Sequence, residues 1–281
     1  MQRGQPPDRM NMLQGMAALR ILVAEDNAAN AMVVSGYLGL FGHHAVVVKT
    51  GHEVVDLAAQ QSFDLILMDL QMPGMDGLTA TAKIRSLPDK ARSDIPIVAL
   101  TADITRETQT AALAAGMNDI LHKPLSSERL RMAIQNIVCP QSDPQLGATS
   151  APAPVPVATD ILDQEATTRM IADLGHAQVE ALRDKAQSTF GEMMVALRTQ
   201  LAATDLDHRE ILKIAHKMAG TTSSAGLMLL SDSVRQLEGK MLSGESMAQI
   251  VQHCVQIDVL AQRSFAVLTA AINASASKNT D

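Results

Sequence analysis

Between Leu19 and Cys139 the chain alternates short unbroken apolar runs with segments of helical spacing; the runs are "LRILVA", "HAVVVK", "FDLILMDL", "IPIVALTA" and "MNDIL". No other feature narrows the possible folds so far. A strand that alternates polar and apolar residues keeps one face in water, whereas a continuous Val/Ile/Leu run has to be covered on both faces. Such runs separated by helices predict a parallel sheet between two helical layers, an α/β doubly wound domain of five strands and five helices over residues 19–138.

The pattern then changes. Residues 139–159, "CPQSDPQLGATSAPAPVPVAT", are rich in Pro, Ala and Ser and have no periodicity, which reads as a linker with polyproline-like portions. Beyond it every segment has helical spacing, over 161–171, 176–203, 206–224, 227–243 and 246–273, broken at "DLGH", "ATDLDH", "SAGL" and "LSGES". Long amphipathic helices joined by short connections predict an antiparallel four-helix bundle over 160–275. Residues 1–18 are expected to be an N-terminal extension and 276–281 a disordered tail. The chain is thus multidomain, with no repeat linking its halves.

Composition excludes several classes of function. A net charge of −7 argues against a surface for nucleic acid, which needs Lys and Arg gathered on one face. Cys139 and Cys254 stand far apart and outside any metal-binding or disulfide pattern, as in a reducing compartment. No run is read as long and apolar enough to insert in a membrane, and the first twenty residues lack a signal-peptide core. A soluble cytoplasmic protein is expected. Met1 favours a stand-alone chain over the tail of a longer kinase.

Chemistry gathers at the carboxyl ends of the predicted strands, where open parallel sheets bind their ligands. "ILVAEDN" delivers Glu25 and Asp26, and "LILMDLQMPGMDG" delivers Asp69. Carboxylates crowded together raise one another's pKa unless a cation sits among them. Oxygen ligands of this kind suit Mg²⁺. "VALTA" adds the hydroxyl of Thr101 and "ILHKP" the ammonium of Lys123, both suited to a phosphoryl group. Each acid alone would pass for a solvated strand end or a helix cap. Five such residue types on four strand ends point instead to an aspartyl-phosphate site.

These motifs, in this order, resemble the response-regulator receiver family over residues 19–138. The resemblance implies a flavodoxin-like fold with Asp69 as phosphoacceptor. It implies Asp26, Asp69 and the backbone carbonyl of Gln71 as direct Mg²⁺ ligands, with Glu25 acting through water. Thr101 and Lys123 would hold the phosphoryl group, and the Lys123–Pro124 bond would be cis. Ile120 departs from the pattern, since the family usually has an aromatic residue three places before the lysine.

In the second half one histidine has an unusual setting. On a helix, Ile211, Ile214, Met218 and Ala225 fall about 140° or more from His216 and form the core stripe. Within about 60° of it lie Arg209, Leu212, Lys213, Ala219, Gly220 and Ser223, so the imidazole is expected to point out of the bundle. Gly220 costs about 1 kcal/mol in a helix interior relative to Ala, yet clears space beside the ring. A neutral imidazole is nucleophilic near neutral pH and needs chiefly access. The run "AHKMAG", with "QLE" on the next helix, resembles the histidine-phosphotransfer family over about residues 160–275. By that resemblance His216 is the phosphorylated histidine, at Nε2. Ala219 stands where that family commonly has lysine, and Lys213 is expected to supply the charge.

The chain has no Walker loop and no kinase glycine loop. The expected function is therefore a phosphorelay intermediary of bacterial type, without an ATP-dependent kinase domain. A sensor histidine kinase would charge Asp69, and His216 would exchange phosphoryl groups with Asp69 or with a partner response regulator. The receiver's first helix is the expected docking surface, with Ala29 and Met32 meeting Leu212 near Gly220. Alternatives are a phosphate sink that drains a pathway and a kinase-docking adaptor.

Overall fold

The computed structural model describes residues 17–102, 105–138, 161–203 and 207–278. The first half alternates β1 (Arg20–Ala24), α1 (Ala28–Leu40), β2 (His44–Val48), α2 (Gly51–Gln60), β3 (Leu65–Asp69), α3 (Gly77–Arg85), α4 (Lys90–Ser93), β4 (Ile97–Thr101), α5 (Arg106–Ala114), β5 (Asp119–His122) and α6 (Ser127–Val138). All four strand pairings are parallel, in the order β2-β1-β3-β4-β5. The five expected strands are present. The single-turn α4, capped by the Asp89 side chain, is additional to the five helices expected.

Alternation along each strand divides the core between the two sheet faces. Ile21, Val23, Leu65, Leu67, Val98 and Leu100 face α1 and α6, while Leu22, Ile66, Met68, Ile97 and Ala99 face α2, α3 and α5. All are fully enclosed, and burying each Val, Leu or Ile side chain contributes about 1.5–3 kcal/mol. Side-chain caps start the helices: Asn27 accepts from the backbone N–H groups of Ala29 and Asn30, and Asp76 from that of Thr79.

The second half contains α7 (Gln164–Leu174), α8 (His176–Leu201), α9 (His208–Ser224), α10 (Met228–Leu242) and α11 (Met247–Lys278). Helix α8 packs on α9, α9 on α10, α10 on α11, and α11 returns to α8, closing a four-helix ring. Helix α7 lies outside the ring and touches α8, α11 and α1. Helix α11 continues three residues into the segment expected to be a tail; residues 279–281, the linker 139–159 and residues 1–16 lie outside the described residues.

Among the described residues, α11 is long and apolar enough to cross a membrane by length and composition, which corrects the expectation that no segment would be. Its buried residues, Ile250, Cys254, Ile257, Ala261, Phe265, Leu268 and Ile272, form one stripe at helical spacing that packs into the bundle. The core on the α1 side of the sheet is continuous with the bundle core, so the halves share one apolar cluster. Helix α1 makes the junction, resting on α7, α8 and α9.

Candidate functional site

Parallel register brings the carboxyl ends of four strands together. Lys123 donates its backbone N–H to the Thr101 carbonyl at 2.7 Å, and Leu70 donates to Leu100 at 3.2 Å. Glu25 and Asp26 follow β1, Asp69 ends β3, Thr101 ends β4 and Lys123 follows β5. The carboxylate oxygens of Glu25, Asp26 and Asp69 include atoms within 4.8 Å of one another, so the three acids expected to converge do so.

This cluster is held by a fixed ionic frame. The Lys123 ammonium donates to Glu25 Oε2 at 2.6 Å and to Asp69 Oδ2 at 2.7 Å. Asn30 Nδ2 donates to Glu25 Oε1 at 2.9 Å, and the Gln71 backbone N–H to Asp69 Oδ1 at 3.0 Å. Glu25 and Asp69 are almost wholly enclosed. Burial pushes the Glu25 carboxyl up to about 8, against the pull of Lys123. Burial also acts to lower the pKa of Lys123, but Glu25 and Asp69 outweigh it and hold the ammonium well above the usual range. Behind the aspartate, Gly77 is required: a Cβ there would stand 2.3 Å from the Asp69 carbonyl oxygen. The Lys123–Pro124 bond is cis. Thr101 is buried at the end of β4, and Ile120, in the place of the aromatic residue, packs partly buried against the core on the α2 side.

The three carboxylates form an all-oxygen donor set that can hold a hard divalent cation. Asp69, at the end of β3, has both carboxylate oxygens engaged, as Glu25 has. One oxygen of Asp69 is oriented by a backbone N–H, the other lies beside an ammonium, and the cluster around it concentrates negative charge that a cation would offset.

His216 lies in a different setting, on α9 at the margin between core and surface. Its side chain is 30% exposed, and Nδ1 lies 3.5 Å from Oε1 of Glu238 on α10, the acid of the "QLE" run. Ile211, Ile214 and Met218 are buried, as the wheel required. The outward face is narrower than expected, because α10 covers one flank: Ala219 and Ser223 are buried, and Ser231 Oγ donates to the Ala219 carbonyl at 2.9 Å. A lysine at 219 would meet that packed flank. Lys213 is largely exposed and lies 3.4 Å from Glu210.

Sequence reasoning missed the next face of α9. Lys217 pairs with Asp26 across the junction. Asn27 Nδ2 donates to Thr221 Oγ1 at 2.5 Å and to the Lys217 carbonyl at 3.4 Å, and Ser224 Oγ donates to Asn30 Oδ1 at 2.6 Å. Gly220 belongs to the same stripe, with a Cβ there standing 3.7 Å from Asn30 Nδ2. Positions 217, 220, 221 and 224 lie on one helical face, the spacing that could have revealed them. The expected contacts of α1 are thus partly replaced. Ala29 is buried in the shared core, but Met32 lines an opening of about 310 Å³ with Leu174 and Leu182, and polar pairs occupy the neighbourhood of Gly220.

Comparisons with known proteins bear on this geometry. Residues 21–135 match the family model of the response regulator receiver domain. The sensor histidine kinase AruS of Pseudomonas aeruginosa is 33% identical over 228 residues, which are 81% of this chain and 21% of that protein. The sensor protein GacS of Pseudomonas syringae is 31% identical over 223 residues, 79% of this chain and 24% of that one. The chain therefore spans about a fifth to a quarter of the length of these curated relatives. Among solved structures, the receiver domain of sensor histidine kinase PA1611 from Pseudomonas aeruginosa, with a magnesium ion coordinated in its active site cleft, is 36% identical, covering 43% of this chain and 98% of its own, at a TM-score of 0.41. The pocket at the strand ends and the family match agree: residues 21–135 are a response regulator receiver domain, a module that accepts a phosphoryl group on an aspartate in two-component signalling.

Proposed function

We propose that the chain is a phosphorelay intermediary in which Asp69 accepts a phosphoryl group and His216 exchanges phosphoryl groups with an aspartate, that of this chain or of a partner receiver. The observation that carries this reading is the Asp69 carboxylate, held between the Gln71 N–H and the Lys123 ammonium within the acidic cluster. Residues 19–138 would be the receiver and 160–275 a histidine-phosphotransfer bundle, joined by the 139–159 linker. Alignments with sensor kinases over 228 residues are longer than the receiver match, which supports a shared second half.

An oxygen of Asp69 attacks phosphorus, the bond from phosphorus to the donor breaks, and the donor leaves with its electron pair. Lys123 stands where it can turn from Asp69 to a phosphoryl oxygen, and Thr101 ends the adjacent strand. Glu25, Asp26, Asp69 and the Gln71 carbonyl would hold Mg²⁺, which when bound offsets the charge crowded on the attacking and transferred oxygens. In the second step Nε2 of His216 attacks phosphorus and the bond to Asp69 breaks, restoring the carboxylate. The ring then carries positive charge while Nδ1 keeps its proton, and Glu238 lies beside that atom, placed to favour the tautomer with a free Nε2. A sensor histidine kinase would be the donor, a response regulator the other partner, and the cytoplasm the setting.

The test is labelling with acetyl phosphate and Mg²⁺. In wild type, base-labile acyl label is expected first and base-stable imidazole label later. Asp69→Ala should take up neither, and His216→Ala the acyl label alone. Imidazole label in Asp69→Ala at the wild-type rate would overturn the order of transfer. Gly220→Gln, which pushes a side chain toward Asn30, should keep the acyl label and lose the imidazole label without loss of helix content.

A further inference from the structure

The acidic cluster is neutralised from two sides. Lys123 belongs to the receiver and serves Glu25 and Asp69, leaving Asp26 as the carboxylate that Lys123 does not reach. Asp26 is paired instead with Lys217, which arrives from α9 of the bundle. The Asp26 side chain is 6% exposed and that of Lys217 41%, so a half-exposed lysine meets an enclosed carboxylate. Around this pair, Asn27 holds Thr221 and the Lys217 carbonyl, and Asn30 holds Ser224 while also donating to Glu25. The residues that orient the cluster are thus the residues that fasten the bundle to it.

Asp26 is also one of the three acids able to hold a divalent cation, and its carboxylate cannot serve both charges equally. A double positive charge placed among Glu25, Asp26 and Asp69 would lie against the Lys217 ammonium, and like charges at such range repel. Building on the reading of this pocket as an Mg²⁺ site, we propose that Lys217 sets the pocket's metal affinity by competing for Asp26, so that Mg²⁺ binding and docking of the bundle through Lys217 oppose each other. Linkage makes the effect reciprocal: whatever factor docking takes from the metal, the metal takes from docking. Lys217 is a positioning residue here, acting through Asp26 and never on the phosphoryl group. The sequence places it directly after the histidine, so a cation entering the receiver loosens the helix that carries His216.

The experiment is calorimetric titration of the full chain with MgCl₂ at fixed ionic strength. Lys217→Met, which keeps the stem and removes the charge, should bind Mg²⁺ about tenfold more tightly than wild type, and Lys217→Arg should bind like wild type. Thr221→Val, which removes the hydroxyl that accepts from Asn27 and leaves every charge in place, should tighten binding by a smaller factor. A thermal melt of each variant in EDTA identifies any that fail to fold; Lys217→Arg then carries the comparison against an Asp26→Asn control. Equal affinity in wild type and Lys217→Met, or weaker affinity in Lys217→Met, would overturn the competition while leaving the metal site standing. Absence of Mg²⁺ binding in both would overturn the metal site itself, and the competition with it.

Discussion

In the proposed relay Asp69 and His216 would carry the same group, yet their surroundings share almost nothing. Asp69 is enclosed, its two oxygens held at 3.0 and 2.7 Å by Gln71 and Lys123, with two further acids beside it. His216 is partly exposed, with Glu238 at 3.5 Å as the acid beside its ring. The difference follows from charge. A carboxylate that must meet a phosphoryl group needs its repulsion offset by groups already in place, because dipoles and ions fixed before reaction need not reorganise during it. An imidazole is neutral when it attacks, so access and the right tautomer suffice. Under the proposed relay, a dense frame and an open ledge would be two solutions to one chemical task.

The comparison can be broken by substitutions matched between the two regions. The largest contrast is Lys123→Ala against Lys213→Ala. The first strands buried carboxylates and should cost about 3 kcal/mol, while the second removes an exposed charge and should change stability by less than about 0.5 kcal/mol, both read from urea unfolding. Wild-type stability should itself depend on pH. Glu25 titrates near 8 in the folded protein, above the ordinary carboxyl value of 4.5. The folded state therefore keeps a proton that the unfolded chain gives up, and stability owed to this group falls as pH climbs between those values. Melts of wild type at about pH 5 and about pH 7.5 should show the lower stability at the higher pH.

Next come two glycines. Gly77→Ala drives a Cβ to 2.3 Å from the Asp69 carbonyl, backbone against side chain, and should cost about 2–4 kcal/mol and slow acyl labelling. Gly220→Ala meets nothing nearer than 3.7 Å and lies on a helix, so it should leave stability unchanged or raise it by up to about 1 kcal/mol. The last contrast, Glu238→Gln, is read in rate alone. Removing the negative charge beside Nδ1 should slow imidazole labelling about tenfold, a barrier change of about 1.4 kcal/mol, and leave acyl labelling untouched. An unchanged imidazole rate would show that Glu238 does not select the tautomer.

Legibility in the sequence followed the same division. Strand ends are fixed by continuous apolar runs, so the gathering of Glu25, Asp26, Asp69 and Lys123 at one end of the sheet was legible in the sequence. The short α4 escaped because four residues are too few to show a period. For α9 a wheel centred on His216 located the core stripe correctly. It assigned Ala219 and Ser223 to the outside because a wheel knows one helix, and α10 supplies the wall that buries them. Lys217, Thr221 and Ser224 were passed over for a related reason. Their partners Asp26, Asn27 and Asn30 are about two hundred residues away in the chain, and a polar face reads as solvated until the surface opposite it is known.

The central claim is that one phosphoryl group passes between the two halves of this molecule. The direct measurement is the rate at which base-labile label becomes base-stable in wild-type protein charged with acetyl phosphate and Mg²⁺, followed across about a hundredfold range of protein concentration. Packing of α1 against α9 predicts a first-order rate that does not change on dilution. A rate that falls in proportion to concentration, or acyl label that hydrolyses without ever appearing on His216, would contradict it.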